Sequence, residues 1–184
     1  MKTYLEIQVP IKFDLIWFKA LRKSVAEIPV KWQNGYYHIT MAFIDETPED
    51  VELRPILEKH LSKMVAPKMT FNKLDAFTTR SGMHIIYMTA MNIPKEFLQQ
   101  TEAIRTDLKA AGCLIQSDFM LHVTLGRVKA PNLSLEAIKQ KVNKVNFQPF
   151  SMTLTNANFR EFRGKMLFET KLSSGVPHCE TGKA

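Results

Sequence analysis

Two short runs, HITMAF at residues 38–43 and HVTLGR at 122–127, each set a histidine and a threonine two residues apart among apolar neighbours. In a strand, residues i, i+2 and i+4 share one face and the residues between them share the other. Ile39 and Met41, and likewise Val123 and Leu125, then belong to a core. His38 with Thr40, and His122 with Thr124, point the opposite way, and the small Ala42 and Gly126 at the +4 positions would leave room beside them. Such strands need an apolar layer behind and a polar opening in front, which a sheet covered on one face supplies.

The rest of the chain is consistent with that demand. Residues 4–9 alternate, with Leu5, Ile7 and Val9 inward and Tyr4, Glu6 and Gln8 outward. A helical stripe of Leu15, Phe18, Leu21 and Val25 follows. Asn34-Gly35 between strand-like runs predicts a hairpin of Val30–Trp32 with Tyr36–Phe43. Thr47 and Pro48 predict the N-cap and first residue of a helix running to about residue 66. Strands are expected over MTFNKLDAF and MHIIYMTAM, a helix from Pro94 stopped by Gly112, and a shorter helix over SLEAIKQKVNKV. Two final strands should flank Arg163-Gly164. Strands, helices and hairpins thus occur once before about residue 90 and again after it, and helices alternate with hairpins. The fold class expected is α+β with mainly antiparallel sheets. Residues 1–172 are expected to form one domain and 173–184, which lack periodicity, a disordered tail.

The polar pairs suit a phosphate. A threonine hydroxyl can donate to a phosphoryl oxygen, and an imidazole can donate or accept near neutral pH. Two such strands across a cleft from each other would bring both histidines, 122 − 38 = 84 residues apart, to one phosphorus centre. One could deprotonate the attacking oxygen while the other protonates the departing one. This scheme needs no metal or other cofactor. A packing role would not call for an imidazole, since a buried one must find partners.

The other histidines attract blander readings. His60 sits in a lysine-rich helix and should face solvent, His84 shares a strand face with apolar residues, and His178 lies in the tail. No HExxH or clustered Cys spacing suggests a metal, and Cys113 reads as a small filler. No glycine-rich phosphate loop supports an ATP-driven ligase. Trp32, Tyr36, Tyr37 and Phe119 flank the two strands and could stack a base, while Arg80, Arg160 and Arg163 at turns could guide a polyanion. The net charge of +7 favours anionic partners. No apolar signal core or membrane-spanning run occurs, so the expectation is a cytoplasmic protein without a membrane partner, and nothing demands more than a monomer.

Paired H-x-T motifs at this separation resemble the 2H phosphoesterase superfamily, which includes the LigT-like 2′-5′ RNA ligases and cyclic phosphodiesterases. VKWQNGYYHITMAF is similar to the segment entering that family's first motif, HVTLGR to its second with the trailing arginine, and GKMLFET to its last strand. Leu121 stands where the family often has a proline, and Phe43-Ile44-Asp45 where the first motif often ends in an apolar-Gly pair. The resemblance implies a bilobal, pseudo-symmetric α+β fold with helices outside and a cleft holding both motifs. It implies acid and base roles for His38 and His122, phosphate contacts from Thr40 and Thr124, and substrate binding by Arg127. By strict alternation Arg127 would instead point with Val123 and Leu125. The substrates implied are RNA 2′,3′-cyclic phosphate ends or small cyclic nucleotides. A non-catalytic RNA- or nucleotide-binding module and a 2′-5′ oligonucleotide phosphodiesterase are the alternatives.

Overall fold

The structure, a computed structural model, describes residues 2–12, 15–115, 117–129 and 132–174. In chain order its elements are β1 (Thr3–Gln8), α1 (Ile16–Ser24), β2 (Val30–Trp32), β3 (His38–Ile44), α2 (Leu53–Leu61), β4 (Lys68–Phe71) and β5 (Lys73–Thr78). Then come β6 (His84–Thr89), α3 (Lys95–Ala110), β7 (Val123–Val128), α4 (Leu135–Val142), β8 (Phe150–Thr153), β9 (Asn156–Glu161) and β10 (Met166–Lys171). The expected α+β class is what is found. Eight strands form one sheet in the order β10-β9-β1-β3-β7-β6-β5, with β2 also pairing β7, and β4 and β8 form a separate ribbon.

The large sheet is two half-sheets joined between β3 and β7, where Ile39 pairs with Val123. The half containing β3 takes β1, β9 and β10, and the half containing β7 takes β2, β5 and β6. The repeat is therefore not split near residue 90. The last strands return to the first, while the middle of the chain builds the second half.

Leu5, Ile7 and Val9 are buried as alternation predicts, and Ile39, Met41, Val123 and Leu125 share their core. The helices press their apolar stripes into it through Phe18 and Leu21, Leu57 and Leu61, Ile104 and Leu108, and Ile138 and Val142. Gly112 ends α3 at φ +87°, a conformation glycine takes without strain. Ser134 caps α4 by accepting from the Ala137 amide at 3.2 Å. None of the helices is long and apolar enough to cross a membrane, among the described residues.

Four local expectations fail for identifiable reasons. The helix expected from Thr47 begins at Leu53. Started at Pro48, it would have buried Pro55 in its interior, where proline removes a hydrogen bond and clashes with the preceding turn. Started at Leu53, Pro55 lies in the first turn, where no amide is needed. The hairpin across Asn34-Gly35 does not form, because β2 pairs with β7 and β3 with β1. MTFNKLDAF breaks at Asn72 into strands of different sheets, and the C-terminal region holds three strands where two were expected. The expected tail lies, from residue 175 onward, outside the described residues.

Candidate functional site

β3 alternates buried and part-exposed residues through Met41 and then places two buried residues in succession, Met41 and Ala42. His122 and β7 repeat this order residue for residue, with Leu125 and Gly126 as the buried pair. Strand pairing shows why. β1 places Leu5 opposite Ala42 and the next residue, Glu6, opposite Thr40, so Met41 is an extra residue in β3. β6 places Ile86 opposite Gly126 and Tyr87 opposite Thr124, so Leu125 is an extra residue in β7. Both are β-bulges, which reverse the facing of everything beyond them.

The carbonyls of both bulged residues are satisfied. Arg105 donates from Nη1 to the Met41 carbonyl at 3.3 Å, and the Gln33 amide donates to the Leu125 carbonyl at 2.8 Å. The consequence corrects the alternation argument. Ala42 and Gly126 turn into the core and leave no room in the opening, whereas Phe43 and Arg127 turn out of it. His38, Thr40 and Phe43 from one half, and His122, Thr124 and Arg127 from the other, line a single open cleft of about 1310 Å³.

Gly126 is required by its neighbours. A Cβ there would lie 2.5 Å from Val30 Cγ1 and 3.0 Å from Trp32 Cε3, so β2 reaches β7 because this residue has no side chain. That approach overrides the local Asn-Gly signal. It also delivers Gln33, whose Oε1 accepts from Arg127 Nη1 at 2.6 Å and whose Nε2 donates to the Tyr36 carbonyl at 3.1 Å.

The two imidazoles are held differently. His122 Nδ1 lies 2.9 Å from the Met120 carbonyl. Because a carbonyl only accepts, Nδ1 carries the proton and Nε2 the lone pair in the neutral ring. His38 Nδ1 lies 3.3 Å from Oε2 of Glu6, a fully buried side chain. Burial, reinforced by His122, Arg127 and Arg160, pushes His38 down to about 4. Burial also lowers His122, against the pull of the Met120 carbonyl. Both rings are neutral near pH 7 before any anion enters.

The His38 shift has a thermodynamic signature. In an unfolded chain this group titrates near 6.5, but in the fold it stays neutral until about pH 4. Between those values the unfolded chain binds a proton that the folded chain refuses, so stability falls as pH drops through this window. The wild type is expected to lose about 3 kcal/mol more than His38→Asn between pH 7 and pH 4. Urea unfolding at the two pH values measures the difference.

The remaining candidates separate cleanly. His84 is buried with both ring nitrogens engaged, Nδ1 with Thr78 Oγ1 at 2.9 Å and Nε2 with the Leu133 carbonyl at 2.9 Å, a packing role. His60 does not simply face solvent; its Nε2 meets Asp107 Oδ2 at 2.9 Å and ties α2 to α3. His178 lies outside the described residues. Cys113 is buried, and burial raises its thiol. No group of His, Cys, Asp and Glu that could hold a metal occurs among the described residues.

Of the expected stacking aromatics, Trp32 lines the cleft, Tyr37 is buried and Phe119 packs on Phe97. Tyr4, Phe43, Phe77 and Phe162 line the cleft instead. Arg163 is at its edge, and Arg160 lies over the Tyr36 ring at 5.2 Å. Glu6, Gln33 and Asn158 were not singled out by the sequence. Glu6 occupies an ordinary outward position of an alternating strand, so no sequence signal marked it.

Over 112 residues, 60% of its length, the chain is 27% identical to an RNA 2′,3′-cyclic phosphodiesterase of Archaeoglobus fulgidus, of whose length it spans 62%. The fold matches Escherichia coli LigT, solved with 3′-AMP, at a TM-score of 0.53 and 17% identity, covering 93% of this chain and 96% of that one. It also matches Kluyveromyces marxianus Usb1, solved with uridine monophosphate, at a TM-score of 0.66 and 9% identity, covering 93% and 98%. The sequence profile of the 2′-5′ RNA ligase superfamily matches residues 30–165. With that match across most of its length, the chain belongs to the 2′-5′ RNA ligase superfamily, the 2H phosphoesterases.

Proposed function

We propose that this protein is a metal-independent phosphodiesterase that opens 2′,3′-cyclic phosphates, at RNA ends or on small nucleotides, to 2′-phosphates. The observation that carries the reading is the pair of bulged H-x-T strands, matched residue for residue, on the floor of one cleft. A phosphate between them meets Thr40 and Thr124 as hydroxyl donors and Arg127 as a fixed cation braced by Gln33. Water attacks phosphorus and gives its proton to one imidazole. The P–O3′ bond breaks, and the 3′ oxygen takes a proton from the other.

An anion between the rings also opposes the burial and positive charge that keep them neutral, so substrate binding itself favours the protonated ring that the step needs. The activity of the Archaeoglobus relative and the nucleotides bound by the two structural neighbours support this substrate class. The aromatic side chains of the cleft are suited to stacking bases on either side of the phosphate.

The test is incubation of a nucleoside 2′,3′-cyclic phosphate with the protein in excess EDTA. Conversion to the 2′-phosphate, at a rate unchanged by the chelator, is the expected result. Tight binding without product at any pH would favour a binding module, and selective cleavage of 2′-5′-linked oligonucleotides would move the substrate assignment.

A further inference from the structure

Glu6 projects from β1 on the cleft side of the sheet, in a row with Asn158 of β9 and Thr40 of β3, its cross-strand partners. It is fully buried, a place an acid rarely takes without a purpose or a partner. One carboxylate oxygen, Oε1, accepts a hydrogen bond from the Tyr36 hydroxyl. That hydroxyl in turn accepts from Asn158 Nδ2 at 2.6 Å, so its own proton is directed to Glu6. Among the described residues the second oxygen, Oε2, has no hydrogen-bonding partner, and neither has His38 Nδ1, which is 3.3 Å away. Two orphaned buried atoms facing each other are both satisfied by one proton between them. Burial raises the Glu6 carboxyl, but the Tyr36 and Asn158 hydrogen bonds and Arg160 favour its carboxylate, which leaves that proton on Nδ1.

We infer that Glu6, oriented by Tyr36 and Asn158, is a positioning residue that fixes the proton of His38 on Nδ1 and reserves its Nε2 for the substrate. The inference rests on the two-histidine reading proposed above and deepens it, because it makes the two imidazoles unequal. His122 is oriented by a neutral carbonyl, whereas His38 is backed by a group that can carry a full negative charge. When His38 holds a second proton during the reaction, the charge of its ring is met by Glu6, while His122 Nδ1 meets only the Met120 carbonyl among the described residues. The charged and titratable groups around this pair are Tyr4 on its own strand, Tyr36 before β3, Arg160 on β9, and His122 and Arg127 from the other half.

The discriminating variant is Glu6→Gln, which keeps the size of the side chain. Its carbonyl oxygen remains the acceptor of the Tyr36 hydroxyl, which turns the amide NH₂ toward His38 Nδ1. An NH₂ group can only donate there, so the proton of the imidazole moves to Nε2, the wrong atom for accepting one from water. Nitrogen-15 NMR of histidine-labelled protein reads this tautomer directly, without turnover, so the pairing can be judged even if the proposed substrate is wrong. The expected result is a wild-type His38 protonated on Nδ1, a Glu6→Gln protein with His38 shifted to the Nε2-protonated form, and unchanged His122 signals.

On a cyclic nucleotide, kcat should fall about 100-fold or more with KM little changed, and the limb of the pH–rate profile belonging to His38 should move. Tyr36→Phe, which frees Glu6 to rotate, should give a smaller change of the same kind and serves if Glu6→Gln folds poorly. An unshifted His38 tautomer in Glu6→Gln, or a shifted one with kcat within about threefold of wild type, would overturn the inference.

Discussion

Replacing either His38 or His122 by alanine is expected to lower kcat on a 2′,3′-cyclic nucleotide by about 100- to 10,000-fold, the usual worth of a positioned general acid or base. The fold should survive, because both rings line the opening and neither belongs to the apolar core. Binding of the nucleotide product should persist within several-fold, since Thr40, Thr124 and Arg127 remain. The two substitutions should not multiply. Once one proton cannot be moved, removing the second carrier costs little more, and the double variant should fall near the worse single one. Each single variant should also flatten one side of the bell-shaped pH profile. Initial rates at saturating substrate, with calorimetry on the product, separate these effects. Either alanine variant retaining more than about a third of wild-type turnover would remove the two-histidine mechanism.

Gly126→Val should produce the largest loss of stability. Its Cβ would sit 2.5 Å from Val30 Cγ1 and 3.0 Å from the Trp32 ring, both stiff side chains, and valine adds two methyl groups beyond it. Overpacking of this kind costs about 3 kcal/mol at its upper range. In a chain of this size that is a fall in Tm of roughly 6–12 °C. The damage should reach the cleft, because displacing β2 withdraws Gln33 from Arg127 and leaves that cation unbraced. KM should therefore rise together with the loss in Tm. Val30→Ala in the same chain removes the nearest clashing atom and should restore part of the stability. Thermal unfolding of the single and double variants measures both effects. A Gly126→Val protein as stable as wild type would show that β2 does not depend on this close approach.

The polar residues that line the cleft were more legible in the sequence than the shape of the strands that carry them. Period-two counting placed His38 with Thr40 and His122 with Thr124 correctly, because each pair precedes its bulge. It failed beyond Met41 and Leu125, where one added residue turned Phe43 and Arg127 into the cleft and Ala42 and Gly126 out of it. The small residues at those two positions are the visible trace of the bulges, and they face the core and not the space beside the polar pair. Alternation put Arg127 with Val123 and Leu125, and the bulge instead turns it into the cleft, where the role implied by the resemblance would need it.

Local signals served well where local forces decide, as at Gly112 and Ser134. They misled at Asn34-Gly35, where contacts some 90 residues away prevail, and at Thr47, where Pro55 forbids the longer helix. Glu6 was placed on the proper face of β1. Its burial was not legible, because the cover comes from Tyr36 and Asn158, which only the fold brings to it.

Ile39 opposite Val123 is the spine of an open book whose pages are the two half-sheets. Within each page the ladder of backbone bonds locks a ring to its hydroxyl neighbour. Across the spine, Ile39, Met41, Val123 and Leu125 lie underneath in one shared apolar core. On the proposed reading, the gap that a phosphate would fill thus lies over residues that would never touch it.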